Sequence, residues 1–130
     1  MQKIMIMLGG ENRRIKFTIN AIQELEAQID GKNVMLLMQD RVWSVTDIVS
    51  ACHCALRTFD NTITRRKVQE WVAEYAEEHE TGIYDLQAYL TAALGMSGLV
   101  GGKRSAFEGV LAELAKKKEG EKDETADEGK

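Results

Sequence analysis

The sequence holds no proline. Proline breaks helices and punctuates loops, so its absence suits helices joined by short turns of glycine, asparagine and aspartate. Cysteine is nearly missing too. Cys52 and Cys54 are the only two, too few for a disulfide framework. The start, Met1 to Leu8, has one positive charge and a short apolar run before Gly9-Gly10 and the charged stretch Glu11 to Arg14. That run is too short for a secretory signal, so a cytoplasmic, reducing location is expected. Long hydrophobic runs are also lacking. The longest uncharged stretch, Leu86 to Gly102, contains Gln87, Thr91, Ser97 and four glycines. It falls short of the ~20 apolar residues of a spanning helix, so no membrane partner is expected. Positive charge is not in excess. The formal net charge is −4, which weighs against a nucleic-acid surface, since phosphate contacts need clustered Lys and Arg.

What remains is a 130-residue chain that is 44% hydrophobic, enough for one domain with its own core. Ile4, Ile6 and Leu8 alternate with Met5 and Met7. Arg13, Ile15, Phe17 and Ile19 alternate with Arg14, Lys16 and Thr18. Both runs have the period of a strand, and Gly9-Gly10-Glu11-Asn12 lies between them, so a β-hairpin is expected. An isolated hairpin is marginal in water, so this one must pack on helices or on another subunit.

Helical signals follow. Asn20 reads as an N-cap with Gln23 three residues on, and Ile22, Leu25 and Ile29 form the apolar stripe of a first helix. Gly31 is placed to end it. A short helix is expected over Val34 to Gln39. Ser44 caps the next, with Asp47 in its first turn and Val45, Ile48, Val49, Cys52, Leu56 and Phe59 at core-facing spacing. Thr64 caps a long helix to about Glu78, with Val68, Trp71, Val72 and Tyr75 inward. Arg65, Arg66 and Lys67 sit in its first turn, where cations oppose the helix dipole. Asp85 to Leu94 forms a last core helix through Leu86, Leu90, Ala93 and Leu94. Residues 105–118 can form an outlying helix on Phe107, Val110, Leu111 and Leu114. From Lys116 onward only charged and small residues occur, a composition that favours disorder.

Candidate chemistry is sparse. Cys52 and Cys54 on one regular helix point about 200° apart, so they cannot hold one metal ion together. The expectation is a buried thiol at Cys52 and surface positions for His53 and Cys54. With His53 and His79 as the only histidines, both at surface-facing positions, a nucleophilic triad is not supported. Gly101-Gly102-Lys103-Arg104 fails as a phosphate loop, because Ser97 stands where glycine is needed and Arg104 where Ser or Thr is needed. No catalytic residue, cofactor or metal is expected. Methionine is the more informative residue. Met5, Met7, Met35, Met38 and Met96 are many for a small domain, and methionine adapts to irregular partners. Met96, Leu99 and Val100 lie among glycines beyond the core helices. Met5, Met7, Met96, Leu99 and Val100 are therefore the candidate partner-binding residues.

The order of these features resembles a known family. Leu8-Gly9-Gly10-Glu11-Asn12-Arg13-Arg14-Ile15-Lys16-Phe17-Thr18 runs into Ile19-Asn20-Ala21-Ile22-Gln23-Glu24-Leu25-Glu26. This is similar to the opening of the gene-transfer-agent-type tail assembly chaperones of long-tailed phages, a hairpin of the type L-G-G-x-x-R-x-L-x-F followed by a helix of the type N-A-L-x-E-L-E. Ile48 to Arg57, Thr64 to Val68 and Leu86 to Leu94 match the family's later helices, so the resemblance spans roughly Ile4 to Leu94. The methionine-rich first strand and the cluster Arg65 to Lys67 depart from its pattern. The resemblance implies a non-catalytic protein of the host cytoplasm, absent from the mature virion. Such a protein binds and solubilises the tape measure protein and helps recruit the tail tube protein. Many members are made in two forms by ribosomal frameshifting, and Lys116-Lys117-Lys118 lies where such a shift would fall. Binding one long chain at many points also favours a homo-oligomer.

The expected architecture is thus α+β and mostly helical. An N-terminal β-hairpin and about five helices occupy 1–100, a glycine linker able to carry an outlying helix occupies 101–118, and a disordered charged tail occupies 119–130. Two other functions fit the same composition. One is a structural virion component, such as a tail tube or head-tail connector protein. The other is a small DNA-binding regulator using Arg65 to Lys67, against which the glutamates along the same helix weigh.

Overall fold

Two glycines set the first fold event. In the computed structural model, Gly9 and Gly10 both have positive φ, 63° and 78°, as the mirror-image two-residue hairpin turns require. They join β1 (Ile4–Leu8) to β2 (Glu11–Ile15), antiparallel, with Leu8 opposite Glu11 and Ile4 opposite Ile15. The structure describes residues 3–29, 33–99 and 109–114. The expected disordered tail, 119–130, lies outside these.

The hairpin is there, with a shift in its second strand. The four-residue connection expected from Gly9 to Asn12 shrinks to two, because both glycines take up the turn, and Glu11 and Asn12 join the strand. The ladder stops at Ile15. The Lys16 N–H then bonds to the Ala55 carbonyl at 3.4 Å, and Thr58 Oγ1 donates to the Lys16 carbonyl at 2.8 Å. The chain thereby leaves the sheet and seats Phe17 in the core.

The helices are α1 (Ile19–Gln28), α2 (Val34–Gln39), α3 (Val45–Arg57), α4 (Arg65–Glu78) and α5 (Tyr84–Met96). A further helical turn covers 109–114. Side-chain oxygens cap four of them: Thr18, Asn33, Ser44 and Thr64 each accept from the backbone N–H three residues on. Helix α1 is therefore capped by Thr18, not Asn20. Thr18 is extended and bonds to the Ala21 N–H at 3.1 Å, which starts the helix two residues early and leaves no capping box at Asn20 and Gln23. Helix α5 begins one residue before its expected start and runs through Gly95 to Met96.

Helix α3 is the centre. It packs against α1, α4, α5 and β2. Ile48, Val49, Ser50, Ala51, Cys52, Cys54, Ala55 and Leu56 are all buried. Such enclosure needs small side chains on the flanks of the apolar stripe, and Ser50, Ala51, Cys54 and Ala55 supply them. Cys54 was expected at the surface; it is 1% exposed, because α1 covers that flank. His53, also expected outside, is half-buried, with Nε2 3.0 Å from the Ile63 carbonyl. Val45 and Phe59, expected inside, are exposed. Val45 is the first residue of the helix and Phe59 lies beyond its last, where the enclosing elements no longer reach. The Arg14 guanidinium stacks over the Phe59 ring instead, 4.6 Å from its centroid.

The hairpin lies across this helical layer with Ile4, Ile6, Leu8 and Ile15 facing the core. Its turn presses on α4: a Cβ built at Gly9 would stand 2.6 Å from the Trp71 ring. The Arg13 guanidinium covers Trp71 at 3.9 Å, which leaves that tryptophan half-buried. Leu111 joins the same core cluster, so the helix at 109–114 packs on the domain; Phe107 lies outside the described residues.

Candidate functional site

The chemistry of the two thiols is quiet. Burial pushes Cys52 up to about 12 and Cys54 up to about 12. Both therefore stay protonated at neutral pH, and a thiol rather than a thiolate is a poor nucleophile and a poor metal ligand. Gln28 Nε2 lies 3.8 Å from Cys54 Sγ and closes the approach from α1. Burial also pulls His53 below its ordinary value; the Ile63 carbonyl partly offsets this, and Arg57 adds to it. His79 stacks on Tyr75 with ring centroids 3.7 Å apart, and its Nδ1 lies 2.9 Å from the Tyr75 carbonyl. Among the described residues no cluster of three His, Cys, Asp or Glu side chains could hold a metal ion.

The basic start of α4 acquires a structural reason. Arg65 Nη2 donates to the buried Ser50 Oγ at 3.2 Å and so ties α4 to α3. Arg66 and Lys67 remain exposed. Beside them a shallow hollow of about 380 Å³ is bordered by Arg13, Asp60, Lys67 and Trp71. The hydroxyl and N–H of Thr62 both bond to Asp60 and hold its carboxyl below the usual range. A second hollow, about 370 Å³, lies between α1 and the end of α3 and is crossed by the Arg57–Glu24 ion pair at 3.0 Å. Its charged groups are thus already paired with each other.

The surface is more telling in its apolar places. Met5 and Met7 are 41% and 40% exposed. They stand on the outer face of β1, alternating with buried Ile4, Ile6 and Leu8, so the strand period places both on one side. Leu99 is 49% exposed just past α5. Met96 is half-buried and packs against the core, so the last turn of α5 uses it as much for cohesion as for display. Val100 lies outside the described residues.

A second apolar surface was not legible as such in the sequence. Val42 is 72% exposed and Tyr84 58%. A groove of about 230 Å³ runs along α5, lined by Tyr84, Gln87, Ala88, Thr91, Ala92 and Val110. Gln87 fixes its margin. Its Oε1 accepts from the Trp43 N–H at 2.8 Å and its Nε2 donates to the Arg41 carbonyl at 2.9 Å. Val42, between these two residues, faces outward. Trp43 turns inward, and its Nε1–H donates to the Leu37 carbonyl at 2.9 Å. The one signal available in the sequence was Gln87 itself, a polar residue on the core side of a helix that must find partners.

The arrangement defines a class at the level of fold: a helical layer built around one enclosed helix, roofed by a two-stranded hairpin and carrying exposed apolar side chains on β1, on α2 and beside α5. Searches of family models, of curated proteins and of solved structures returned no match to the chain. No described helix is long and apolar enough to cross a membrane.

Proposed function

We propose that the chain is a phage or prophage tail assembly chaperone of the gene-transfer-agent type. It binds the tape measure protein, keeps it soluble in the host cytoplasm, helps recruit the tail tube protein, and leaves before the virion is complete. The single observation that carries the reading is the opening, Leu8 to Glu26. There a glycine turn, a strand and an Asn-Ala-Ile-Gln-Glu-Leu-Glu helix follow one another in the family's order, and the folded chain has that order of elements.

The exposed apolar side chains support it. A holdase needs surface that is apolar yet adaptable, on a body that folds without it. Met5 and Met7 fit that description, since thioether side chains rearrange at low cost to match an irregular helical partner. Burying apolar surface yields about 25 cal/mol per Å², so several small patches along one long client hold it firmly while each contact stays reversible. No step of this work needs a catalytic group. The DNA-binding alternative loses ground because Arg65 is engaged with Ser50.

Particle composition tests the reading against its nearest rival. In lysates of the producing strain the chain is expected to co-purify with the tape measure protein before tails assemble, and to be missing from purified particles that contain the tape measure and tube proteins. A stoichiometric amount of the chain in purified particles would make it a structural tail component instead.

A further inference from the structure

The two edges of the hairpin differ: among the described residues that of β1 is free along its length, while that of β2 is tied down just past its end. Leu8 and Glu11 flank a two-residue turn, so they exchange both hydrogen bonds of the closing pair. Bonded and non-bonded pairs alternate along an antiparallel ladder. Ile6 with Arg13 and Ile4 with Ile15 are therefore the next bonded pairs. The N–H and C=O groups of Met5 and Met7 point the other way, off the free edge of β1. The sheet has two strands, and no backbone hydrogen bond from another described segment reaches Ile4–Leu8.

The β2 side is different. Its continuation is tied down at Lys16, whose N–H and carbonyl both have partners on or just past α3. Arg14 and Lys16 add charge there. Natural edges are protected by charge, proline, bulges or cover. β1, Ile-Met-Ile-Met-Leu, has no charge and no proline, and its pairing register runs unbroken from Ile4 to Leu8.

We propose that β1 pairs edge to edge with β1 of a second copy of this chain, joining two hairpins into one four-stranded antiparallel sheet. The exposed backbone groups select an extended strand as occupant, and the register selects a copy. A two-fold axis at Ile6 sets Met5 opposite Met7 of the second copy. Both free N–H groups and both free carbonyls of each strand then meet partners, with no offset. On the inner face Ile6 meets Ile6 and Ile4 meets Leu8, extending the apolar layer. On the outer face the methionines of both copies merge into one patch. No like charges oppose each other, which a β2–β2 pairing through Arg14 could not avoid. The proposal does not depend on the chaperone reading.

Sedimentation equilibrium of the full chain tests it, with circular dichroism as the check on folding. The wild type is expected to show a reversible, concentration-dependent dimer. Met7→Pro removes an N–H that faces off the sheet and spares the β1–β2 bonds. It should weaken dimerisation roughly tenfold or more, about 1.4 kcal/mol, with the helical spectrum kept. If Met7→Pro loses that spectrum, the double variant Met5→Lys with Met7→Lys decides. It sets ammonium groups opposite each other across the axis and is expected to be monomeric and folded. A wild type that is monomeric at every concentration overturns the proposal. So does a dimer that survives in folded variants, or one abolished by Tyr84→Asp alone, which would place the interface on the α5 groove.

Discussion

Helix α3 and strand β1 are both rich in apolar residues, yet they are used in opposite ways. Helix α3 is enclosed by three helices and a strand, and even its flanks are buried. Strand β1 is covered on one face and paired on one edge, and among the described residues its outer face is exposed and its other edge has no backbone partner. The compositions reflect this. Full enclosure requires Ser, Ala and Cys wherever a neighbour comes close, because interiors pack to crystal-like density and leave no slack for a larger side chain. Half-enclosure allows a rigid β-branched residue on the inner face and a pliable methionine on the outer. The two elements therefore differ in what substitution should do to them.

The largest effect is expected on the inner face of β1. Ile6→Ala removes a 2%-exposed side chain, and a cavity of that kind costs about 2–5 kcal/mol. Urea unfolding would show the midpoint fall by a large fraction of the total stability. A loss close to that of an exposed site would mean that the hairpin does not seal the core. Next comes overpacking in α3. Ala55→Leu forces new methylenes onto a flank of α3 that is 0% exposed, at about 1–3 kcal/mol, read in the same titration. A neutral result would show slack where the account has none.

A pH effect follows from the same enclosure. Burial holds His53 below its ordinary value of 6.5, so the folded state favours the neutral ring. The unfolded chain then binds the extra proton more readily. The stability from keeping this ring neutral is complete above about 6.5 and is lost as pH falls below that value and through the lower value of the folded state. Among the described residues the buried Nδ1 has no acceptor for the N–H that protonation would create, and Arg57 and Arg65 disfavour the charge while Glu24 favours it. Melting temperatures between pH 8 and pH 5, taken about one unit apart, should fall more steeply for wild type than for His53→Gln. Parallel curves would remove His53 from the account.

The smallest effect on stability belongs to the outer face of β1. Met5→Ser with Met7→Ser should change stability by no more than about 0.5 kcal/mol, as exposed positions usually do. The same double variant should still weaken partner capture, and Leu99→Asp should act likewise. A substantial drop in unfolding midpoint would show these methionines to be core residues.

How much of this could be read in the sequence depended on how local the signal was. Ser44, Thr64 and the alternation from Ile4 to Leu8 are short-range, and each was legible. Asn20 misled because Thr18, two residues earlier, offers the same cap and the chain leaving Lys16 arrives with Thr18 already extended. Cys54, Val45 and Phe59 were misplaced for a long-range reason: a single apolar stripe cannot reveal how many neighbours enclose a helix. Of the candidate surface, Met5, Met7 and Leu99 were visible as exposed apolar residues. Val42 was not, because its display depends on Gln87 bonding across to Arg41 and Trp43, more than forty positions away. Nothing local in either segment announces that clamp.

We propose that the apolar side chains displayed by this domain, Met5, Met7 and Leu99, hold a client. Under the proposed chaperone function, co-expression with a phage tape measure protein tests this most directly, scored by the fraction of tape measure in the soluble lysate. An otherwise pelleted tape measure is expected to become soluble and co-elute with the chain, and to lose that rescue with Met5→Ser, Met7→Ser and Leu99→Asp combined. A tape measure that stays in the pellet beside abundant, folded wild-type chain would contradict it.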